Sequence, residues 1–184
     1  KNYRPTIMTV DVDFYVPNPK SVCEKNSVIN SFKNINYDIT YDMGSNKSKF
    51  ISPDGFTVEF LTKLNRNCLS TIELGKTKIY AESLPYVDIF NNNYLEVNYK
   101  GVRVKVIHPA IYVLQKLLIN SQRKDKAEKD ISSITELMQF INKYPTYLNE
   151  LKRLFSNLPK SWKKKINKAI SDNNLTSLFS INDF

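Results

Sequence analysis

The sequence predicts an α/β (α+β) protein, with a small mixed β-sheet core followed by a helical C-terminal region. Three observations point that way. Short runs that alternate apolar and polar residues, the period of a half-buried strand, recur up to about residue 107. From His108-Pro109 onward the apolar residues recur at helical spacing instead. Two of the strand-like runs, Thr9-Val-Asp-Val-Asp-Phe14 and Phe56-Thr-Val-Glu-Phe-Leu61, carry acids inside the apolar alternation. The expected division is a core over residues 1–107 and a helical region over 108–184.

The elements follow in order. Residues 7–16 read as a strand that stops at Val16-Pro17. Asn18-Pro19 is an N-cap with proline at the first helical position, and Val22, Ile29 and Phe32 continue one helical face. Tyr37–Tyr41 and Lys49–Ser52 are short strands about a polar loop at residues 44–48. Pro53-Asp-Gly55 is a tight turn that delivers the Glu59 strand, and the stretch around Gly75 carries no clear period. Residues 94–99 and 102–107 alternate cleanly about Lys100-Gly101, the signature of a hairpin. Four amphipathic stretches follow, marked by Ile111, Leu114 and Leu118; Ile131, Ile134, Met138 and Ile141; Leu151, Leu154 and Phe155; and Trp162, Ile166 and Ile170.

Composition narrows the function classes. A chain of 184 residues with 41% hydrophobic content can bury a core. No apolar run approaches the roughly 20 residues that a membrane helix needs, and no signal peptide is visible, so the cytoplasm is expected. Cys23 and Cys68 have no metal-ligand spacing, and lone His108 rules out a multi-histidine zinc site. The formal charge of +9 favours polyanionic partners such as nucleotides or nucleic acid, although lysines on a surface also serve solubility alone.

The acids carry the chemistry. Strand periodicity puts Asp11 and Asp13 on one face, with Val10, Val12 and Phe14 on the other, and sets Glu59 between Val58 and Phe60. Acids are depleted in strands, and an unpaired buried carboxylate is costly, so this trio asks for a cation. Two Mg²⁺ ions, for which Mn²⁺ can substitute, answer that need. In two-metal transfer Asp11 and Asp13 bridge both ions and Glu59 completes the one that activates the nucleophile. Without metal, mutual repulsion should raise at least one of these carboxyl pKa values. An Asp-x-Asp pair alone is a weak signal, since such pairs also occur on exposed strand edges.

These runs resemble the signatures of the polymerase-β-like nucleotidyltransferase superfamily. The passage from Val104 through His108-Pro109 to Lys116-Leu117, then Arg123 and Lys129-Asp130, is similar to bacterial minimal nucleotidyltransferase-fold proteins, including the AbiEii-type toxins of toxin–antitoxin systems. The resemblance covers about residues 4–143. It implies transfer of a nucleoside monophosphate from an NTP to a hydroxyl acceptor, with RNA, above all tRNA, as one candidate. It also implies that Lys116 contacts nucleotide phosphates, with Arg123 and Lys129 in support and Arg123 either facing phosphate or pairing with Asp130; Lys116→Ala should then weaken NTP binding and spare the fold. The superfamily places a Gly-Gly or Gly-Ser turn upstream of the aspartates; none precedes Asp11 here, and the expectation is that it lies before Lys1.

Other basic residues read more plainly. His108 is a strand-end residue, and Lys116 in isolation would be a snorkelling lysine at a core edge. The run from Lys160 to Lys168 buries Trp162, Ile166 and Ile170 as a helix and leaves its lysines to solvent or to a nucleic-acid backbone. The rival to an enzyme is a catalytically inactive protein that keeps the fold as a nucleic-acid or partner-binding module.

Overall fold

A computed structural model describes residues 10–23, 27–64, 70–122 and 126–179. They form two compact units that divide between Asp88 and Ile89. The first holds a six-stranded mixed sheet; the second holds a two-stranded hairpin and four α-helices. The mixed α+β class read from the sequence is the class observed. Among the described residues no helix is long and apolar enough to cross a membrane.

The sheet is built around β4 (Thr57–Lys63). Along one edge β4 pairs in parallel with β1 (Asp11–Tyr15), from Asp11 opposite Thr57 to Tyr15 opposite Leu61. The other edge is shared. Its first half pairs antiparallel with β3 (Ser48–Ile51), and its second half, from Leu61, pairs in parallel with β6 (Tyr80–Leu84). The outer strands are β2 (Asp38–Tyr41), beside β3, and β5 (Thr71–Glu73), beside β6. Buried Ser48 ties the two arms of this fork, its hydroxyl accepting from the Tyr80 amide at 2.8 Å.

The sheet's two faces differ. Val58, Phe60, Phe50 and Ala81 belong to one face, where Phe50 and Ala81 are fully buried with Ile79 and Leu74 close by. The short helix α1 (Val28–Lys33) lays Ile29 and Phe32 against it, the Phe32 and Phe50 rings stacking at 4.2 Å. A fully buried side chain of that size stabilises the fold by roughly 2–3 kcal/mol.

Two expectations need correction here. The single helix expected from Asn18 to Phe32 is instead a one-turn helix at Pro19–Ser21 and, separately, α1, capped by the Ser27 hydroxyl. The physical reason is a long-range contact: the Pro19 carbonyl accepts from the Gly75 amide at 2.8 Å, and Val22 turns extended. Gly75 comes so close that a Cβ there would lie 2.2 Å from the Val22 carbonyl oxygen, and its φ is +59°. The second correction concerns the stretch around Gly75. It is flanked by β5 and β6, strands of three and five residues that are too short to show a period.

In the second unit β7 (Tyr94–Tyr99) and β8 (Val102–Ile107) form the expected hairpin. Lys100 and Gly101 take φ values of 50° and 83°, as a two-residue primed turn requires. Then come α2 (Pro109–Ile119), α3 (Ala127–Lys143), α4 (Pro145–Ser156) and α5 (Lys160–Asp172). Helix α2 is buried on nearly all sides and packs against the other three, which is why its sequence is apolar almost all round. His108 is its N-cap: Nδ1 accepts from the Ala110 amide at 3.2 Å. Burial pushes the His108 pKa below its ordinary value, aided by Arg153 and opposed by Glu150.

Candidate functional site: an acid face with its own lysines

The β1–β4 register brings the sequence-predicted acids together. Asp13 is the direct neighbour of Glu59 across the parallel pair, and Asp11 lies two residues along the same face of β1. The pairing continues at both ends, with Thr57 N donating to Val10 O and Val16 N to Leu61 O, each at 2.8 Å, so the register is well defined. Opposite these acids, Phe14 stacks on Phe60 at 5.8 Å on the core face. On β4, buried Val58 and half-buried Phe60 anchor the core face and so leave Glu59 on the other.

Three residues that sequence reasoning passed over share the face. Glu82 of β6 is the register partner of Leu61, and Lys49 of β3 is the partner of Glu59. Lys47, just before β3, donates to Glu59 Oε2 at 2.9 Å and to Glu82 Oε2 at 2.8 Å. Lys49 Nζ lies 3.4 Å from Glu59 Oε1. The only signal for Glu82 was an acid in Tyr80-Ala-Glu-Ser-Leu84, and Lys47 read as a loop lysine.

The electrostatics follow from this crowding. Asp13 is accessible to solvent as a residue, yet the protein packed about its carboxyl raises its pKa above the ordinary 3.8. Repulsion from Glu59, Asp11 and Glu82 pushes the same way, and Lys47 opposes it. Mutual repulsion, the cause expected from the sequence, contributes to this rise, but burial of the carboxyl is the larger cause. For Lys47, burial favours the neutral amine, but the hydrogen bonds it donates to Glu82 and Glu59 outweigh it and the pKa goes up. Lys47 is a firm cation.

As a donor set the three carboxylates are hard oxygen ligands of the kind Mg²⁺ takes. Their placement on adjacent strands and the raised Asp13 pKa fit a face short of positive charge. The side chains as they stand are engaged differently, with Glu59 held by Lys47 and Lys49. Among the described residues no group of three or more His, Cys, Asp or Glu side chains closes into a metal-holding arrangement.

The basic residues that the resemblance assigns to phosphates belong to the helical unit, apart from Arg123, which lies outside the described residues. Lys116 is bonded to Asp130 of α3 at 2.9 Å, an ion pair whose aspartate is almost fully buried. Lys116 also rests over the Tyr112 ring, with Nζ 5.2 Å from its centre. Lys116→Ala would therefore remove an ammonium bonded to a buried carboxylate, a cost to the fold that the sequence did not suggest. Lys129 is exposed on the first turn of α3, next to Asp130.

Fold and site together define an α+β protein whose sheet presents acids from neighbouring parallel strands on one face. The chain belongs to a nucleotidyltransferase family: the family model described as "Nucleotidyltransferase" matches residues 2–153. Among solved structures it is similar to that of an antigenic nucleotidyltransferase-like protein from Paracoccidioides brasiliensis, at 14% sequence identity and a TM-score of 0.46. That match covers 82% of this chain and 62% of the other, so the chain spans less than two thirds of that protein's length. No curated protein matches.

Proposed function

We propose that the protein is a metal-dependent nucleotidyltransferase that moves a nucleoside monophosphate from an NTP to a hydroxyl acceptor. The observation that carries this reading is the pairing of Asp13 with Glu59 on one face, with Asp11 beside them and the Asp13 pKa raised. Asp11 and Asp13 would hold the ions and Glu59 would complete the set. When bound, Mg²⁺ would neutralise the triphosphate and lower the pKa of the attacking hydroxyl. The chain's own part is positional: the β1–β4 register sets the three carboxylates on one face of the sheet, where an ion would compete with Lys47 and Lys49 for Glu59. Lys116, Arg123 and Lys129 are proposed contacts for nucleotide phosphates, and the cytoplasm, where NTPs are present, is the proposed location.

The proposed first acceptor is tRNA, supported by the net charge of +9 and by the toxin-like passage from hairpin to helix. The test uses full-length protein, Mg²⁺, each labelled NTP in turn, and a panel of tRNA, protein and small hydroxyl acceptors. Label transfer is expected, and Asp13→Asn should abolish it. Transfer that survives Asp13→Asn would sink the assignment of the site.

The second reading, an inactive binding module, is favoured by the two lysines that already neutralise Glu59. It predicts tight RNA binding with no transfer across the same panel.

A further inference from the structure

Lys47 stands where β4 changes partners. The β3 register, continued by one pair of residues beyond Lys49, would set Lys47 opposite Leu61, but Glu82 of β6 holds that position. β3 begins at Ser48, and the Lys47 side chain spans the fork instead, bonded to one acid on each side of it. The contact is sheltered: the Lys47 and Glu59 side chains keep only 16% and 15% of their exposure. Solvent therefore screens this pair less than an ordinary surface ion pair.

Both oxygens of Glu59 are thus committed to ammonium groups, Oε2 to Lys47 and Oε1 to Lys49. For Glu59 to join Asp11 and Asp13 around an ion, Lys47 has to let go. A lone sheltered ammonium would then be costly, but Glu82 already bonds it at 2.8 Å. We propose that Lys47 is a built-in cation that exchanges with a divalent ion at Glu59, with Glu82 as the berth that keeps its ammonium once the ion is bound. This rests on the metal-dependent reading above. It makes Lys47 a positioning residue: it keeps the acid face assembled without metal and sets how tightly an ion must bind to enter.

The test is Mn²⁺ binding to the full-length chain, followed by electron paramagnetic resonance, with Asp13→Asn marking the site. Wild type should bind Mn²⁺, and Asp13→Asn should lose that binding. Lys47→Met should bind about fivefold more tightly, because the competing charge is gone. A merely structural lysine would give the opposite result, since loosening the fork would weaken the site. Lys49→Met, which removes an equal charge from the longer contact, should have the smaller effect. Glu82→Gln should weaken binding in the wild-type background and much less with Lys47→Met present, a coupling that a double-mutant cycle reads directly. If Lys47→Met does not fold, as judged by circular dichroism, Lys47→Gln carries the same expectation. Wild-type binding with no gain in the Lys47 variants, or an equal gain in Lys49→Met, overturns the exchange alone. Absence of Mn²⁺ binding in wild type and Lys47 variants alike overturns the metal-dependent reading and the exchange with it.

Discussion

The carboxyl of Asp13 is crowded by protein and lies within the fields of Glu59, Asp11 and Glu82, with Lys47 the cation set against them. Its folded pKa is raised, so the sign of its effect on stability is fixed. The fold is better off when Asp13 is protonated, and that advantage is lost as the pH rises through the raised value. Asp13→Asn should therefore raise the melting temperature slightly at neutral pH. The gain should fade on acidification towards 3.8, and thermal melts across that range would check it. A variant that loses stability at neutral pH would show that the repulsion is not felt. At this scale the site was half legible. Strand periodicity identified Asp11, Asp13 and Glu59, because a period of two reports which face a residue shares. It could not report Lys47 or Glu82, whose roles arise from a strand junction that brings residues 47, 59 and 82 together.

Among the elements, α2 and α3 are joined by the Lys116–Asp130 pair in a nearly dry setting. Removing Lys116 takes away the ammonium bonded to a buried carboxylate, so Lys116→Ala should lower stability. Lys116→Met combined with Asp130→Leu should restore much of it, since an apolar pair of similar volume is often as stable as the ion pair. Chemical denaturation of the two variants beside the wild type tests this. Calorimetry of NTP binding by the double variant then asks about phosphate contact separately from folding. The helices and the primed hairpin turn were legible because each is specified within a few neighbouring residues. β5 and β6 were not, for they owe their place to partners rather than to their own pattern: β6 joins β4 some twenty residues back, and Ser48 reaches in from β3. The helix expected after Asn18 failed for a related reason, because Gly75 holds Pro19 from a distant loop.

Taken whole, the chain carries 27 basic against 18 acidic side chains, an excess that acts at long range. Binding to tRNA should weaken steeply with salt, log K falling linearly with log salt by about 0.7–0.9 per phosphate contacted. Filter binding from low to physiological salt would measure the slope, and a flat response would remove RNA from the list of acceptors. The divided edge of β4 has a further consequence, for the order in which the chain folds. β2, β3 and β4 are consecutive, joined by short turns, and can zip up while neighbouring residues are still finding their places. β1 meets β4 only by closing a loop from Asp11 to Thr57, a long-range parallel contact with a larger entropic penalty. The meander and its aromatic core should therefore form first and the aspartate strand dock late. A nascent chain would pass through a stage that is compact but has no assembled acid face, and the carboxylates would meet only in the last step of folding.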